Sequence, residues 1–209
     1  TLTREAAKEL IEARGGKVFF VDPRRTESAK IAGEHVFIRP NTDVFFYLAF
    51  LHELIACGGV ARERVAAHMT GYGDVERLVA PWTPERAEEV TRIPAAKLRE
   101  MVAAYREADG AAFYSSTGVN MGTNGSLAFW LQEVINAVSG NLDKRGGTLV
   151  GRGIIDFPRF GVKNGVLMRS DRSRVGGYTA TNDAFPGGIL ADEILTPGDA
   201  VDEALRVGD

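Results

Sequence analysis

Asp22, Arg24 and Arg25 lie in "VDPRRT", directly after the apolar run "KVFFV". A carboxylate at a strand end can accept hydrogen bonds from ribose hydroxyls, and neighbouring guanidinium groups can fork onto a phosphate. The same residues also suit an Asp22-Pro23 turn with two solvated arginines. Both readings stand on this stretch alone. A second cluster, "RPNTD" (39–43), puts Asn41, Thr42 and Asp43 ahead of a long apolar segment. A helix starting there aims free N–H groups and its positive end at an anion, while Asp43 is equally an ordinary first-turn residue. The third cluster is "STGVNMGTNG" (116–125), where Gly118, Gly122 and Gly125 permit close backbone approach before another helix. Its spacing is neither G-x-G-x-x-G nor a P-loop. Singly these signals are weak. Together, at three strand ends, they point to a nucleotide-like ligand.

Other chemistry fades on inspection. "HELIA" (52–56) begins like a zinc-protease motif, but Ala56 occupies the second histidine position. His35 and His68 are isolated, His52 falls inside a helix, and Ser126 has no G-x-S-x-G turn. The sequence has one cysteine, Cys57, which alone holds neither a disulfide nor a metal cluster. Near a helix end it reads as a small buried hydrophobe. No catalytic and no metal-ligating residue is assigned.

The elements that must carry these clusters follow from periodicity. "TREAAKELIEARGG" reads as a short amphipathic helix with Ala6, Leu10 and Ile11 inward and a Gly-Gly stop. "KVFFVD" reads as a strand covered on both faces, "SAKIAGEH" as a brief link, and "VFIRP" as a second strand ended by Pro40. "NTDVFFYLAFLHELIACGG" is a helix capped by Asn41, Thr42 or Asp43 and ended at Gly58-Gly59. Thr83 caps "TPERAEEVTRI", with Pro84 at its first helical position. In "PAAKLREMVAAYREADG", Leu98, Met101, Val102 and Tyr105 share a face. "AAFYSSTG" reads as a third strand, ending at Gly118. In the next helix Leu127, Trp130, Leu131, Val134, Ile135 and Val138 form one stripe. Strands alternating with helices predict an α/β fold with a parallel sheet, and ligands then gather at the strands' carboxyl ends.

The 209 residues suit one large domain or a domain and a half, and 44% hydrophobic content is enough to bury a core. A net charge of −3 argues against a nucleic-acid partner. No apolar run approaches the roughly 18 residues of a membrane helix, so no direct membrane span is expected. Residues 1–150 form the α/β domain in this reading. Residues 151–209 are Gly-rich and irregular, with Pro and scattered aromatics, and end in a helix at "VDEALRVGD". That segment suits an interdomain contact or the wall of a substrate funnel. Thr1 opens inside a helix and Asp209 closes one, so both ends read as cuts through a longer protein.

The stretches "VDPRRTESAKIAGEHVFIRPNTD", "TPERAEEVTRIPAAKLREMVAAY" and "STGVNMGTNGSLAFWLQEVINAVSGNLDKRGGTLV" occur in this order. Over about residues 1–150 the chain resembles the molybdopterin oxidoreductases of the dimethyl-sulfoxide-reductase type, which include formate dehydrogenases, nitrate reductases and thiosulfate or polysulfide reductases. The resemblance implies a dinucleotide-binding-like (Rossmann-like) three-layer domain. Such a domain holds the guanosine end of molybdopterin guanine dinucleotide, one of two pterins around molybdenum or tungsten. It implies that Asp22, Pro23, Arg24, Arg25 and Thr26 line the nucleotide. Asn41, Thr42 and Asp43 occupy the family's usual Gly-Thr-Asp segment, whose acid contacts guanine or ribose. Thr117, Gly118 and Met121 match positions nearer the metal. Asn41 replaces a common Gly, and Asn tolerates left-handed backbone. Met121 stands where many members carry Gln, which removes an amide.

By the same resemblance an iron–sulfur cluster lies upstream. The partners are the remaining domains of the same chain and an electron-transfer subunit. Cytoplasmic and periplasmic, membrane-associated settings both suit the family. The isolated fragment is expected to fold, to be inactive and to bind the cofactor weakly or not at all. Two alternatives stand beside this reading: an NADP-dependent dehydrogenase domain, with Asp22, Arg24 and Arg25 on a ribose 2′-phosphate, and a scaffold subunit of a respiratory complex that has lost its cofactor.

Overall fold

A computed structural model describes residues 4–151, 157–164, 172–180 and 184–196. The chain divides into two compact units, residues 1–150 and 151–209.

The first unit is built on helix α3 (Asp43–Ala56), whose residues Val44, Phe46 to Leu51 and Leu54 are all buried. A helix that is apolar nearly all round must be covered on every side. Here α5 (Tyr72–Val79), α6 (Pro84–Thr91), α7 (Ala95–Glu107) and α9 (Gly125–Val138) pack on it. The expected face of α7 is the buried one: Leu98, Met101, Val102 and Tyr105 point inward. Phe50 lies with its ring centroid 4.9 Å from that of Phe113 and 5.5 Å from that of Tyr105, both edge-on. Each fully buried side chain of this kind stabilises the fold by about 1.5–3 kcal/mol relative to exposure. Thr83 caps α6 as expected, accepting from Arg86 N–H at 3.3 Å, with Pro84 behind it.

Strands β1 (Phe19–Val21) and β2 (Glu34–Val36) pair in parallel, Phe20 opposite His35, and are joined by α2 (Glu27–Ile31). Gly33 turns the chain into β2 at φ +85°, where a Cβ would stand 2.5 Å from the Val18 carbonyl oxygen. β1 is half-buried rather than covered on both faces, because the sheet has two strands among the described residues and each strand keeps an unpaired edge. β2 ends at Val36, earlier than the run to Pro40 suggests.

The expected third strand is not one. Residues 111–116 are irregular, and Thr117–Asn120 form the short helix α8. Side-chain amides take the bonds a sheet would have taken. Asn136 accepts from Phe113 N–H at 3.0 Å and donates to the Phe113 carbonyl at 2.8 Å. Asn141 accepts from Ala111 N–H at 3.2 Å. A second correction concerns α9, whose buried face runs through Ala128, Leu131, Val134, Ile135 and Val138. Leu127 and Trp130 lie one residue, about 100°, round the helix from it and are exposed.

The N-terminal helix has two parts, α1 (Arg4–Lys8) and a π-helical continuation, Glu9–Ala13. The buried residue there is Ala7 rather than Ala6, and Leu10 and Ile11 are half-buried. Between Val60 and Ala80, where the sequence names no element, lie α4 (Arg62–His68) and α5.

The second unit is less irregular than its composition suggests. It contains α10 (Phe157–Asn164), a single antiparallel bridge between Arg172 and Thr179, and a 3-10 turn, Gly187–Ile189, running into α11 (Leu190–Leu195). Arg174 clamps the end of α11, donating to the carbonyls of Glu193 at 2.6 Å and Thr196 at 3.2 Å. The expected terminal helix at 201–209 lies outside the described residues.

Candidate functional site

The first two sequence clusters approach each other through their acids. Asp22 follows β1, donating its N–H to the Val36 carbonyl at 3.1 Å and accepting at its own carbonyl from the His35 ring at 3.0 Å. One Asp22 carboxylate oxygen accepts from Arg24 N–H at 2.7 Å, which closes the Asp-Pro turn. Turn chemistry and an available carboxylate therefore coexist, since a carboxylate has several acceptor positions. Asp43 opens α3 and is half-buried. Burial first, and the nearby Asp22 charge second, raise its carboxyl above the ordinary aspartate range, against the lowering effect of its own backbone hydrogen bond. Among the described residues no cation pairs with it.

The second and third clusters are brought together by two hydrogen bonds. Asn41 has left-handed backbone, φ +64°. Its Oδ1 accepts from Thr123 N–H at 2.9 Å, and its Nδ2 donates to Thr123 Oγ1 at 3.1 Å. Below Asp43, the buried Tyr47 hydroxyl is pushed up by burial and, secondly, by the Asp43 charge. The buried Ser115 hydroxyl acts the other way, lowering Tyr47 by hydrogen bonding.

The remaining expected residues divide. Thr26 caps α2, accepting from Ala29 N–H at 3.3 Å. Thr42 is buried and donates to the Arg39 carbonyl at 2.6 Å. Pro23, Arg24 and Arg25 are exposed. Arg24 stands 3.8 Å from Glu27, and Arg25 forms no ion pair among the described residues. Thr117 and Gly118 are exposed at the start of α8, and Met121 is 81% exposed. No hydrogen bond or ring contact ties these three side chains to Asp22 or Asp43 among the described residues.

Sequence reasoning did not reach Thr123, Tyr47 or Ser115. Thr123 bonds a residue 82 positions away, and Tyr47 reads as one more apolar residue of α3, so neither leaves a local signal. His52 lies in α3 with Nδ1 3.1 Å from the Val79 carbonyl, a structural position. Cys57 is half-buried with its thiol donating to the Leu54 carbonyl. Among the described residues no group of His, Cys, Asp and Glu is arranged to hold a metal ion, and no helix is long and apolar enough to cross a membrane. A cleft of about 550 Å³ between α5 and α9, lined by Met69, Asp74, Leu78 and Trp130 among others, contains none of the expected site residues.

No family model matches the chain. Formate dehydrogenase H of Escherichia coli (strain K12) is 27% identical over 140 residues, 66% of this chain and 20% of its own length. The dimethyl sulfoxide/trimethylamine N-oxide reductase of Rhodobacter capsulatus is 26% identical over 148 residues, 66% of this chain and 18% of its own. These relatives are molybdopterin oxidoreductases, and the likeness covers about two thirds of this chain. The chain spans about a fifth of the length of the curated relatives it matches. Among solved structures, acetylene hydratase from Pelobacter acetylenicus shares the fold, with a TM-score of 0.59 and 23% identity over 62% of this chain and 18% of that one. The chain keeps "VDPRRT", "RPNTD" and "STGVNM" in one α/β unit.

Proposed function

We propose that this chain is the nucleotide-holding, dinucleotide-binding-like part of a molybdenum- or tungsten-dependent oxidoreductase. In this reading its edge takes the guanosine diphosphate end of one molybdopterin guanine dinucleotide. The observation that carries the proposal is Asp43: a half-buried carboxylate at the start of a buried helix, close to Asp22 and, among the described residues, without a cation. Such a group has acceptor positions to spare beyond its own backbone bond, and a guanine edge offers two N–H donors side by side. Asp22 accepts from ribose hydroxyls with its free acceptor positions. Arg24 and Arg25, exposed on the same turn, reach for phosphate oxygens. Thr26 and Thr42 hold the two turns in shape through their cap and carbonyl bonds. Thr117, Gly118 and Met121 line the side toward the pterin.

The residues present fit such a group in donor and acceptor type: carboxylates for N–H and hydroxyl donors, guanidinium groups for phosphate. When bound, the cofactor supplies two-electron redox of a small substrate at its metal. This segment binds and orients it. In the parent protein the other domains would complete the clamp, and an iron–sulfur cluster and a partner subunit would supply the electron path.

The test is a nuclear magnetic resonance titration of the chain with guanosine diphosphate and with NADP⁺ at millimolar concentration. Guanosine diphosphate is expected to shift the amides of residues 22–26, 41–43 and 117–124, and NADP⁺ to leave them in place. A stronger response to NADP⁺, or none to either nucleotide, would overturn the proposal.

A further inference from the structure

We infer that Asn41 is a positioning residue: it clasps the 116–124 loop to the start of α3 and so sets where that loop meets the nucleotide. The inference rests on the guanosine-nucleotide reading above. Resemblance puts Asn41 among the residues lining the nucleotide, but the geometry gives its side chain another task. The backbone N–H of Thr123 can only donate, so the Asn41 oxygen faces it, at 2.9 Å. The amide nitrogen then faces the Thr123 hydroxyl, at 3.1 Å. Both ends of a short, planar side chain are thus committed to one residue on a distant loop.

Two further observations agree. Asn41 holds a backbone conformation, φ +64°, that glycine adopts more readily. A side chain kept at such a position needs a use, and the clasp is one that glycine cannot supply. On the other side, Gly122 leaves the room: a Cβ there would stand 2.7 Å from Asn41 Oδ1. The clasped loop carries Thr117, Gly118 and Met121, all exposed. The other bonds of the turn between α8 and α9 are local backbone ones, among them Met121 N–H to the Thr117 carbonyl, Gly122 N–H to the Val119 carbonyl and Gly125 N–H to the Gly122 carbonyl.

The test uses the 209-residue chain and its Asn41→Gly, Thr123→Val, Thr123→Ser, Gly122→Ala and Asn41→Gly/Thr123→Val variants. Two quantities are measured: hydrogen exchange of the Thr123 amide without nucleotide, and affinity for guanosine diphosphate. Asn41→Gly is expected to speed Thr123 exchange and to weaken the nucleotide about five- to tenfold, the worth of a modest hydrogen-bonding contribution. Thr123→Val and Gly122→Ala should weaken it less, Thr123→Ser should match the parent chain, and the double variant should be no weaker than Asn41→Gly. If Asn41 touches the nucleotide directly, Asn41→Gly lowers affinity, Thr123→Val does not, and the inference is overturned. Unchanged Thr123 exchange in Asn41→Gly overturns the clasp itself. A parent chain that binds no guanosine diphosphate, with the exchange effect intact, overturns the nucleotide reading and the positioning role while the clasp stands.

Discussion

Asn136 and Asn41 each use a side-chain amide to hold a distant stretch of backbone, one inside the core and the other at its rim. Asn136 is fully buried and serves Phe113 N–H, the Phe113 carbonyl and the Tyr105 hydroxyl, the last at 3.1 Å. Asn41 is exposed and serves Thr123 alone. The bonds are alike in length, but water can replace those of Asn41 and cannot reach those of Asn136. Burial therefore decides what each is for. The inner amide substitutes for a strand and holds the fold, while the outer one adjusts a surface.

The largest effect expected from that contrast is on stability. Asn136→Ala leaves the Phe113 N–H and carbonyl without their partner, each costing about 1–3 kcal/mol, while the Tyr105 hydroxyl keeps Ser139, so unfolding by urea should show a loss of about 2 kcal/mol or more. Asn41→Gly should stay within about 0.5 kcal/mol of the parent chain, as surface changes do. Equal losses would break the comparison.

The next effect is on binding. Asp43→Asn should weaken guanosine diphosphate about tenfold or more, since charged hydrogen bonds are worth about 1.5–3 kcal/mol. It should also stabilise the free chain at neutral pH. Burial and the Asp22 charge raise the Asp43 carboxyl, so the folded chain retains a proton that the unfolded chain has released, and stability falls as pH rises through that window. The variant's advantage is then present above the folded-state titration and disappears in acid. Thermal unfolding of both chains across that range checks it, and an advantage that grows in acid would contradict the assignment.

Smaller again is the effect of the arginines. Arg24→Ala/Arg25→Ala should weaken guanosine diphosphate a few-fold, with the difference shrinking in high salt, and leave stability within about 0.5 kcal/mol. A salt-independent loss would point away from phosphate. Thr83→Ala, outside the three clusters, removes the α6 cap and should cost about 1 kcal/mol of stability, comparable to the arginine effect, with no change in nucleotide affinity.

Local patterns made much of this legible. The apolar run from Val44 to Leu54 announces a buried helix, Thr83-Pro84 announces a helix start, and "KVFFVD" announces a strand. Asn41 announces tolerance of left-handed backbone, which the structure uses. What stayed hidden depends on distance. "AAFYSSTG" has strand composition, but Asn136 and Asn141 claim its backbone from the far end of α9. Leu127 and Trp130 match a helical stripe, yet the facing elements select the neighbouring row. In α10, Pro158 lies in the first turn, where a missing N–H costs nothing, so a stretch that reads as loop is helical. At the site the three clusters could be found singly, whereas the Asn41–Thr123 bonds and the Asp22–Asp43 proximity required the fold.

The central claim is that Asp43 reads guanine, and inosine diphosphate tests it most directly because it lacks only the 2-amino donor. With the parent chain, guanosine diphosphate should bind about fivefold to tenfold tighter than inosine diphosphate, and Asp43→Asn should erase the difference. Equal affinity of the parent chain for the two nucleotides, or a preference that survives Asp43→Asn, would contradict the account.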